Sequence, residues 1–329
     1  MTANISRRNY LCAGLAASLA YAAPGLALAQ AYPSRPVRLT VGFAPGTGPD
    51  VVTRLLGQKL SETMGQPFVI ENRAGAGGQI AAQFVAKSAP DGYNLLIADM
   101  SAISIAPAAF SKLAYDPLLE LIPVSEVVRT DFILVVPATS PAKTYAAFVK
   151  AAVANKDLVN FGTFGAGTPG HFGAEMLAKQ GGFKIVPVHF RATGDAVTAL
   201  IAGDVQAALM STALATAQIK GGKMRALATT APTRSPMLPD VPTFAESGYP
   251  KADFSAWFCL FVPAGTSGAV IATLNMQVLA AAQNPDLRRR LEEAGFSIIG
   301  TSPEAAKRMI AAETIRWKKV VTATGFKGD

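Results

Sequence analysis

The sequence predicts an α/β fold of two parallel sheets covered by helices. Short apolar strands alternate with amphipathic helices along almost the whole chain, and one strand–loop–helix arrangement occurs twice, with loops near residues 46 and 167. A third observation sets the first 31 residues apart from the fold. Ser6-Arg7-Arg8-Asn9-Tyr10-Leu11 precedes an Ala-rich apolar run to Ala29, closed by small-x-small sites at Ala27-Leu28-Ala29 and Ala29-Gln30-Ala31. That pattern is an export signal rather than a membrane span. Its paired arginines resemble a twin-arginine signal, with an ordinary secretory signal as the alternative.

The chain has 329 residues; without Arg7 and Arg8 it carries 28 basic and 22 acidic residues, a balance of about +6. That mild excess suits an anionic small ligand. The basic residues are scattered except at Arg288-Arg289-Arg290 and Lys318-Lys319, where the solvated face of an amphipathic helix accounts for them. Without an aromatic–basic platform or a recognition helix, nucleic acid is not an expected partner. Beyond the leader Cys259 stands alone, inside the apolar run Trp257-Phe258-Cys259-Leu260-Phe261-Val262. It reads as a small core residue, with no internal disulfide.

The organising stretch covers residues 35–60. A strand over 37–43 feeds a turn-rich loop over 44–49 and a helix opening at Asp50, with apolar residues at 51, 52, 55, 56 and 60 on one stripe. Asp50 reads as an N-cap, accepting from backbone N–H groups at 52 or 53. A loop ending on a helix N-terminus makes an anion socket. Gly65 supplies a left-handed cap. A strand at 67–71, a helix at 78–88, a strand at 93–98 and a loop with a short helix over 101–110 follow. Strands at 124–128 and 132–136 read as separate, and Thr144 caps a helix over 145–154. The second copy of the opening arrangement has its strand at 159–161, loop at 162–170 and helix at 171–180. Then come a strand at 185–190, helix 196–202, strand 205–210, helix 213–220 and strand 225–229. An apolar strand at 254–262 leads into helices at 269–282, 285–293 and 303–322, the last opened by Pro303. The runs 132–137 and 254–262 are where the chain crosses and returns. Domain 1 is therefore expected over 32–132 plus 254–329, and domain 2 over 133–253.

The second loop offers backbone N–H groups, Gly167, the hydroxyls of Thr163 and Thr168, and a helix N-terminus. Its glycine spacing is not G-x-G-x-x-G, and no Lys-Ser/Thr pair follows a glycine run, so a nucleotide cofactor is not predicted. His171 and Glu175 lie four apart; with His189 the only other histidine, a helix-face hydrogen bond or ion pair is expected rather than a metal site. His189, at a strand end, either touches ligand or supports the site. Arg191, at the next loop–helix junction, either forks onto a carboxylate or is a surface residue. Asp50 and Asp195 each stand in a first helical turn, where capping accounts for them without acid–base work. No G-x-S-x-G elbow or activated cysteine is present, so no catalytic residue is predicted. The loops 43–50, 99–104 (with Ser101), 162–171 and 191–195 all follow strands and gather at the C-terminal strand edges, where open α/β sheets bind ligands. Hydroxyls and backbone donors with few charges fit a small carboxylate.

Gly65-Gln66-Pro67, Glu71-Asn72-Arg73-Ala74-Gly75-Ala76-Gly77-Gly78, Ala89-Pro90-Asp91-Gly92-Tyr93, Tyr115-Asp116-Pro117, Leu200-Ile201-Ala202-Gly203, Leu238-Pro239-Asp240-Val241-Pro242-Thr243 and Pro263-Ala264-Gly265-Thr266 join the 35–50 opening and the 162–171 loop. In that order and spacing the chain resembles the Bug (Bordetella uptake gene) family of extracytoplasmic solute receptors, which serve tripartite tricarboxylate transporters. The resemblance implies a type II periplasmic-binding-protein-like clamshell with a ligand cleft between α/β domains. It implies a periplasmic receptor without cofactor or catalysis, expected as a monomer, that captures a mono-, di- or tricarboxylate and docks on membrane permease subunits. It points to Ala44, Gly46, Thr47 and Asp50 on one side of the cleft and to Thr163, Gly167 and Thr168 on the other, with Thr193 and Asp195 nearby. The chain departs from the family pattern twice. Thr47 stands where relatives often have a second glycine, and His189-Phe190-Arg191-Ala192 replaces the usual Pro-Tyr-Lys/Arg-Gly, removing a phenol and adding an imidazole. The rival readings are an exported α/β hydrolase or isomerase, which would need a nucleophile triad or carboxylate pair in the cleft, and a ligand-sensing adaptor.

Overall fold

Strand β1 (Val37–Val41) buries every residue except Arg38, because it lies between parallel neighbours and helices cover the sheet. Its neighbours are β2 (Phe68–Asn72) and β3 (Asn94–Asp99). Helix α1 (Gly48–Met64) lays Val52, Leu56 and Leu60, each no more than 1 % exposed, against them. Burying each of those leucines contributes about 2 kcal/mol. Gly57 allows the close approach, since a Cβ there would lie 2.7 Å from Ile70 Cδ1. Gly65, at φ +67°, ends the helix as expected. Helix α2 (Gln79–Ala86) and the short α3 (Ala106–Ala109) flank β3 in sequence.

The computed structural model describes residues 32–154, 158–190 and 193–328, and from Arg35 onward they form one compact unit. The expected export signal over 1–31 lies outside the described residues. Where two strands were expected between 124 and 136, a single 17-residue strand β4 (Leu121–Pro137) runs through. Its residues 121–131 pair antiparallel with β9 (Ser255–Pro263), and residues 132–137 pair antiparallel with β7 (Ala207–Ser211) and β8 (Met224–Thr229). β5 (Val159–Thr163) lies parallel between β6 (Ile185–His189) and β7. The order is β2-β1-β3-β9-β4-β7-β5-β6, with β8 and a short β10 (Ser297–Ile298) also pairing with β4.

The all-parallel expectation is thus corrected to two mixed sheet regions joined through β4. β9 returns from the other half of the chain instead of crossing over through a helix on its own sheet, so nothing obliges it to run parallel. Helices α4 (Tyr145–Ala154), α5 (Pro169–Gly181), α6 (Thr193–Ala202) and α7 (Thr212–Lys220) accompany the second region. Its core holds Ile133, Val135, Leu200 and Met210, with Phe164 and Phe190 packed against it. Three further helices, α8 (Gly268–Ala282), α9 (Pro285–Glu293) and α10 (Pro303–Thr324), close the chain. Helix α10 meets the first region, where Thr314 Oγ1 donates to Ser104 Oγ at 3.0 Å. It reaches the second through Trp317, whose ring lies 6.4 Å from Phe172. Among the described residues no helix is long and apolar enough to cross a membrane.

Candidate functional site

The first loop leaves β1 at Gly42, where a Cβ would lie 2.5 Å from Gly78 Cα, so the 42–47 and 75–78 loops touch backbone to backbone. Ala44 and Gly46 are exposed, and Gly46 takes the left-handed region at φ +79°. Helix α1 opens at Gly48 with Thr47 at the N-cap position, two residues ahead of the predicted start. The fixed φ of Pro49 suits a first helical turn and draws the start forward.

Asp50 is therefore not the cap. Its side chain, 2 % exposed, folds back: Oδ2 accepts from Gly46 N–H and from Arg54 Nε, both at 2.9 Å. Oδ1 accepts from Asn72 Nδ2 at 2.7 Å, and that amide also donates to Phe43 O. Burial works to raise the carboxyl's pKa. The hydrogen bonds from Arg54, Asn72 and Gly46 together outweigh it and hold the group below its ordinary value. Asp50 is a clamp that shapes the loop.

The second loop repeats the device. Gly167 is left-handed at φ +74°, Thr168 is the N-cap residue of α5, and His171 takes the place that Asp50 has in the first loop. Its Nδ1 accepts from Gly167 N–H at 3.2 Å. In both loops the threonine hydroxyl donates back to a carbonyl, Thr47 to Ala44 O at 2.7 Å and Thr168 to Gly165 O at 2.8 Å. The expected His171–Glu175 bond does not form, because the imidazole turns to the preceding loop instead.

The His171 ring stands edge-on to His189, centroids 4.6 Å apart, and His189 Nδ1 lies 2.6 Å from Thr163 Oγ1. Burial, and then the neighbouring His189, pull the pKa of His171 down to about 4; burial also lowers that of His189. The acceptor role of His171 Nδ1 places its ring proton on Nε2.

Ser101 is buried, with its N–H donating to Asp99 Oδ1 at 3.1 Å and its hydroxyl to Asp99 Oδ2 at 2.9 Å. Burial pushes the Asp99 carboxyl up to about 6 against those bonds. Phe110, just past α3, lies over Gly167, whose Cβ would sit 3.4 Å from the ring. The first sheet region therefore meets the second at this loop. Asp195 is exposed in the first turn of α6, which Thr193 opens, and it bonds none of the other candidates whose side chains are described. Arg191 lies outside the described residues.

Two clusters result. Ala44, Gly46, Thr47 and Asp50 assemble with Arg54 and Asn72; Thr163, Gly167, Thr168 and His189 assemble with His171. The hydroxyls of Thr47, Thr168 and Ser101 are committed to protein acceptors. Toward an anion the loops offer main-chain N–H groups of first helical turns, such as that of the half-buried Gly48, and the partly exposed side chain of His189. Sequence reasoning passed over Asn72, Arg54, Phe110 and the acceptor role of His171. The repeated spacing of Gly-Thr followed by an acceptor three residues on would have found His171. Asn72 depends on the pairing that sets it across from Val41. Among the described residues no group of His, Cys, Asp and Glu is placed to hold a metal ion. A groove of about 620 Å³ between α5, β6 and α10 is lined by Lys179, Lys184 and Lys319 and by none of these loop residues.

Residues 52–326 match the family described as "Tripartite tricarboxylate transporter family receptor". The chain superposes on the periplasmic binding protein BugD with a TM-score of 0.82 at 29 % identity, covering 90 % of this chain and 99 % of that one. It superposes on MatC from Rhodopseudomonas palustris with bound malate with a TM-score of 0.80 at 33 % identity, covering 88 % and 100 %. A further R. palustris protein, solved with adipate, gives a TM-score of 0.84 at 31 % identity, covering 90 % and 99 %.

Proposed function

Because the chain belongs to the tripartite tricarboxylate transporter receptor family, it is a periplasmic solute receptor rather than an enzyme, and we propose that its 46–50 and 167–171 loops hold a small organic carboxylate for delivery to the transporter's membrane permease. The observation that carries this reading is the paired construction of the loops. Each ends on a helix N-terminus, where main-chain donors and the positive dipole end favour an anion. The acceptor that shapes each loop brings no net repulsion: Asp50 is matched by Arg54, and His171 is neutral. His189, its Nδ1 paired with the Thr163 hydroxyl, adds an imidazole beside the second loop. Two relatives about one-third identical hold the dicarboxylates malate and adipate, which supports the ligand class. A division into lobes 32–132 plus 254–329 and 133–253 fits the same reading, since β4 changes partners between Asp131 and Phe132.

A thermal-shift screen of ligand-free protein with malate, adipate, citrate and aromatic acids tests the proposal. A ligand present at a hundred times its Kd should add about 2.7 kcal/mol of stability. Folded, ligand-free protein that no carboxylate stabilises would overturn it. Loss of carboxylate uptake on deleting the gene tests the delivery step.

A further inference from the structure

Helix α10 ends at Thr324, and Gly325, left-handed at φ +70°, reverses the chain. The Phe326 N–H donates to the Thr324 hydroxyl at 3.3 Å, and its ring lies 5.0 Å from His171 at 76° and 5.5 Å from Phe172 at 84°. Two residues on, Gly328 N–H donates to Ala109 O at 2.8 Å, so close to the Phe110 ring that a side chain there has no room. Ala109 and Phe110 follow β3; His171 and Phe172 open α5. The tail thus touches both sheet regions' loops where they meet over Gly167.

We propose that the 325–328 tail is a strap joining the two sheet regions beside the 167–171 loop, and that Phe326 is a positioning residue whose cover over His171 reserves Nδ1 for the Gly167 N–H. The proposal rests on the reading above only in taking 167–171 as a ligand loop. The His171 ring touches three others, Phe172 at 4.7 Å, His189 at 4.6 Å and Phe326 at 5.0 Å, and only Phe326 comes from outside the second sheet region. That enclosure keeps the ring 3 % exposed at a helix N-terminus. Removing Phe326 admits water, and a hydrated imidazole protonates nearer its ordinary value of about 6.5. The imidazolium has no lone pair at Nδ1, so the Gly167 N–H would lose its acceptor. The titratable group that meets the ring is His189 on β6; along the chain Glu175 follows one turn on in α5, and Lys327 follows Phe326 in the tail.

The chain has two histidines, so imidazole NMR titration of the full protein, with His189→Gln for assignment, reads His171 directly. In the native protein His171 should titrate near pH 4. Phe326→Ala should raise that by one pH unit or more and speed exchange of the Gly167 amide at least tenfold at pH 5.5. Phe326→Leu, which keeps apolar cover, should restore most of both, with thermal melts confirming that each variant is folded. An unmoved His171 titration, or a moved one with Gly167 exchange unchanged, would overturn the strap. These readouts need no ligand. Malate and adipate titrations run alongside decide the receptor reading separately: binding of neither acid counts against that reading while the histidine data still decide the strap.

Discussion

The two loops use one backbone device with different acceptors, and the contrast shows two ways to shape a loop at a helix N-terminus without leaving a net negative charge there. In the first loop a carboxylate accepts three donors and is matched by its own guanidinium, Arg54, on the same helix. In the second a neutral imidazole accepts one N–H and is otherwise held by rings. The first loop is tied by hydrogen bonds that reach across to β2, the second by packing that keeps water out. They should therefore fail under different perturbations: the first when a bonding group is removed, the second when acid or water reaches the ring.

The largest effect should come from Asp50→Ala. Removing the buried carboxylate would break its part-buried bonds to Gly46 N–H and to Asn72 Nδ2, which keeps only Phe43 O, while the half-exposed Arg54 turns to water. A loss of about 2–4 kcal/mol in urea unfolding is expected, with weaker carboxylate binding. A loss near 1 kcal/mol with unchanged affinity would mean the clamp does not hold the loop. Transplanting the device tests the contrast next. His171→Asp places a carboxylate in the second loop without an Arg54 or Asn72, and should cost about 2–3 kcal/mol at pH 7. That cost should shrink as pH falls toward 5 and the group protonates. A pH-independent cost would show that shape rather than charge decides the site.

The native protein should slope the other way through His171. Its folded pKa of about 4 lies below the ordinary 6.5, so the unfolded chain binds more protons between those values. Stability from this group is full above pH 6.5 and is lost as pH falls toward 4, with a slope of up to about 1.4 kcal/mol per pH unit. Asp99 and Asp131, both pushed up to about 6 mainly by burial, oppose it, since each holds its proton in the folded state between about pH 3.8 and 6. Asp50, held low, begins to count only as pH drops through 3.8. The difference between native protein and His171→Asn therefore isolates the histidine. If both lose stability in parallel from pH 6.5 to 4.5, His171 is not the dry acceptor described.

Much of this arrangement is legible in the chain, and the misses have physical causes. The alternation of strands and helices is plain, and helices α4 and α9 begin and end where turn chemistry places them. β4 reads as two strands because Arg129, Thr130 and Asp131 interrupt its apolar pattern. In the fold Arg129 pairs with Glu126 and the Thr130 hydroxyl donates to Gly295 O at 3.0 Å, so the strand continues. Asp50 reads as a cap because local rules favour acids in a first turn, whereas Pro49 moves the helix start and frees the carboxylate for Gly46 and Asn72. The roles of Asn72, Phe110 and Phe326 come from register and tertiary packing at long sequence separation, which no local pattern encodes.

The smallest effects should come from the threonines the two loops share. Thr47→Val and Thr168→Val keep side-chain size and remove one hydroxyl-to-carbonyl bond each, at 2.7 Å and 2.8 Å. Each should cost about 0.5–1.5 kcal/mol. Thr168→Val should cost more, because Ala44 is exposed and water can replace the lost donor there, whereas Gly165 is only half-exposed. Since both hydroxyl hydrogens point at carbonyls, carboxylate affinity should move by less than about fivefold, roughly 1 kcal/mol. A larger loss of affinity in Thr168→Val than in Thr47→Val, at similar stability, would mean that the second loop turns its hydroxyl to the ligand when the cleft closes. The loops would then differ in what they offer the anion as well as in how they are held.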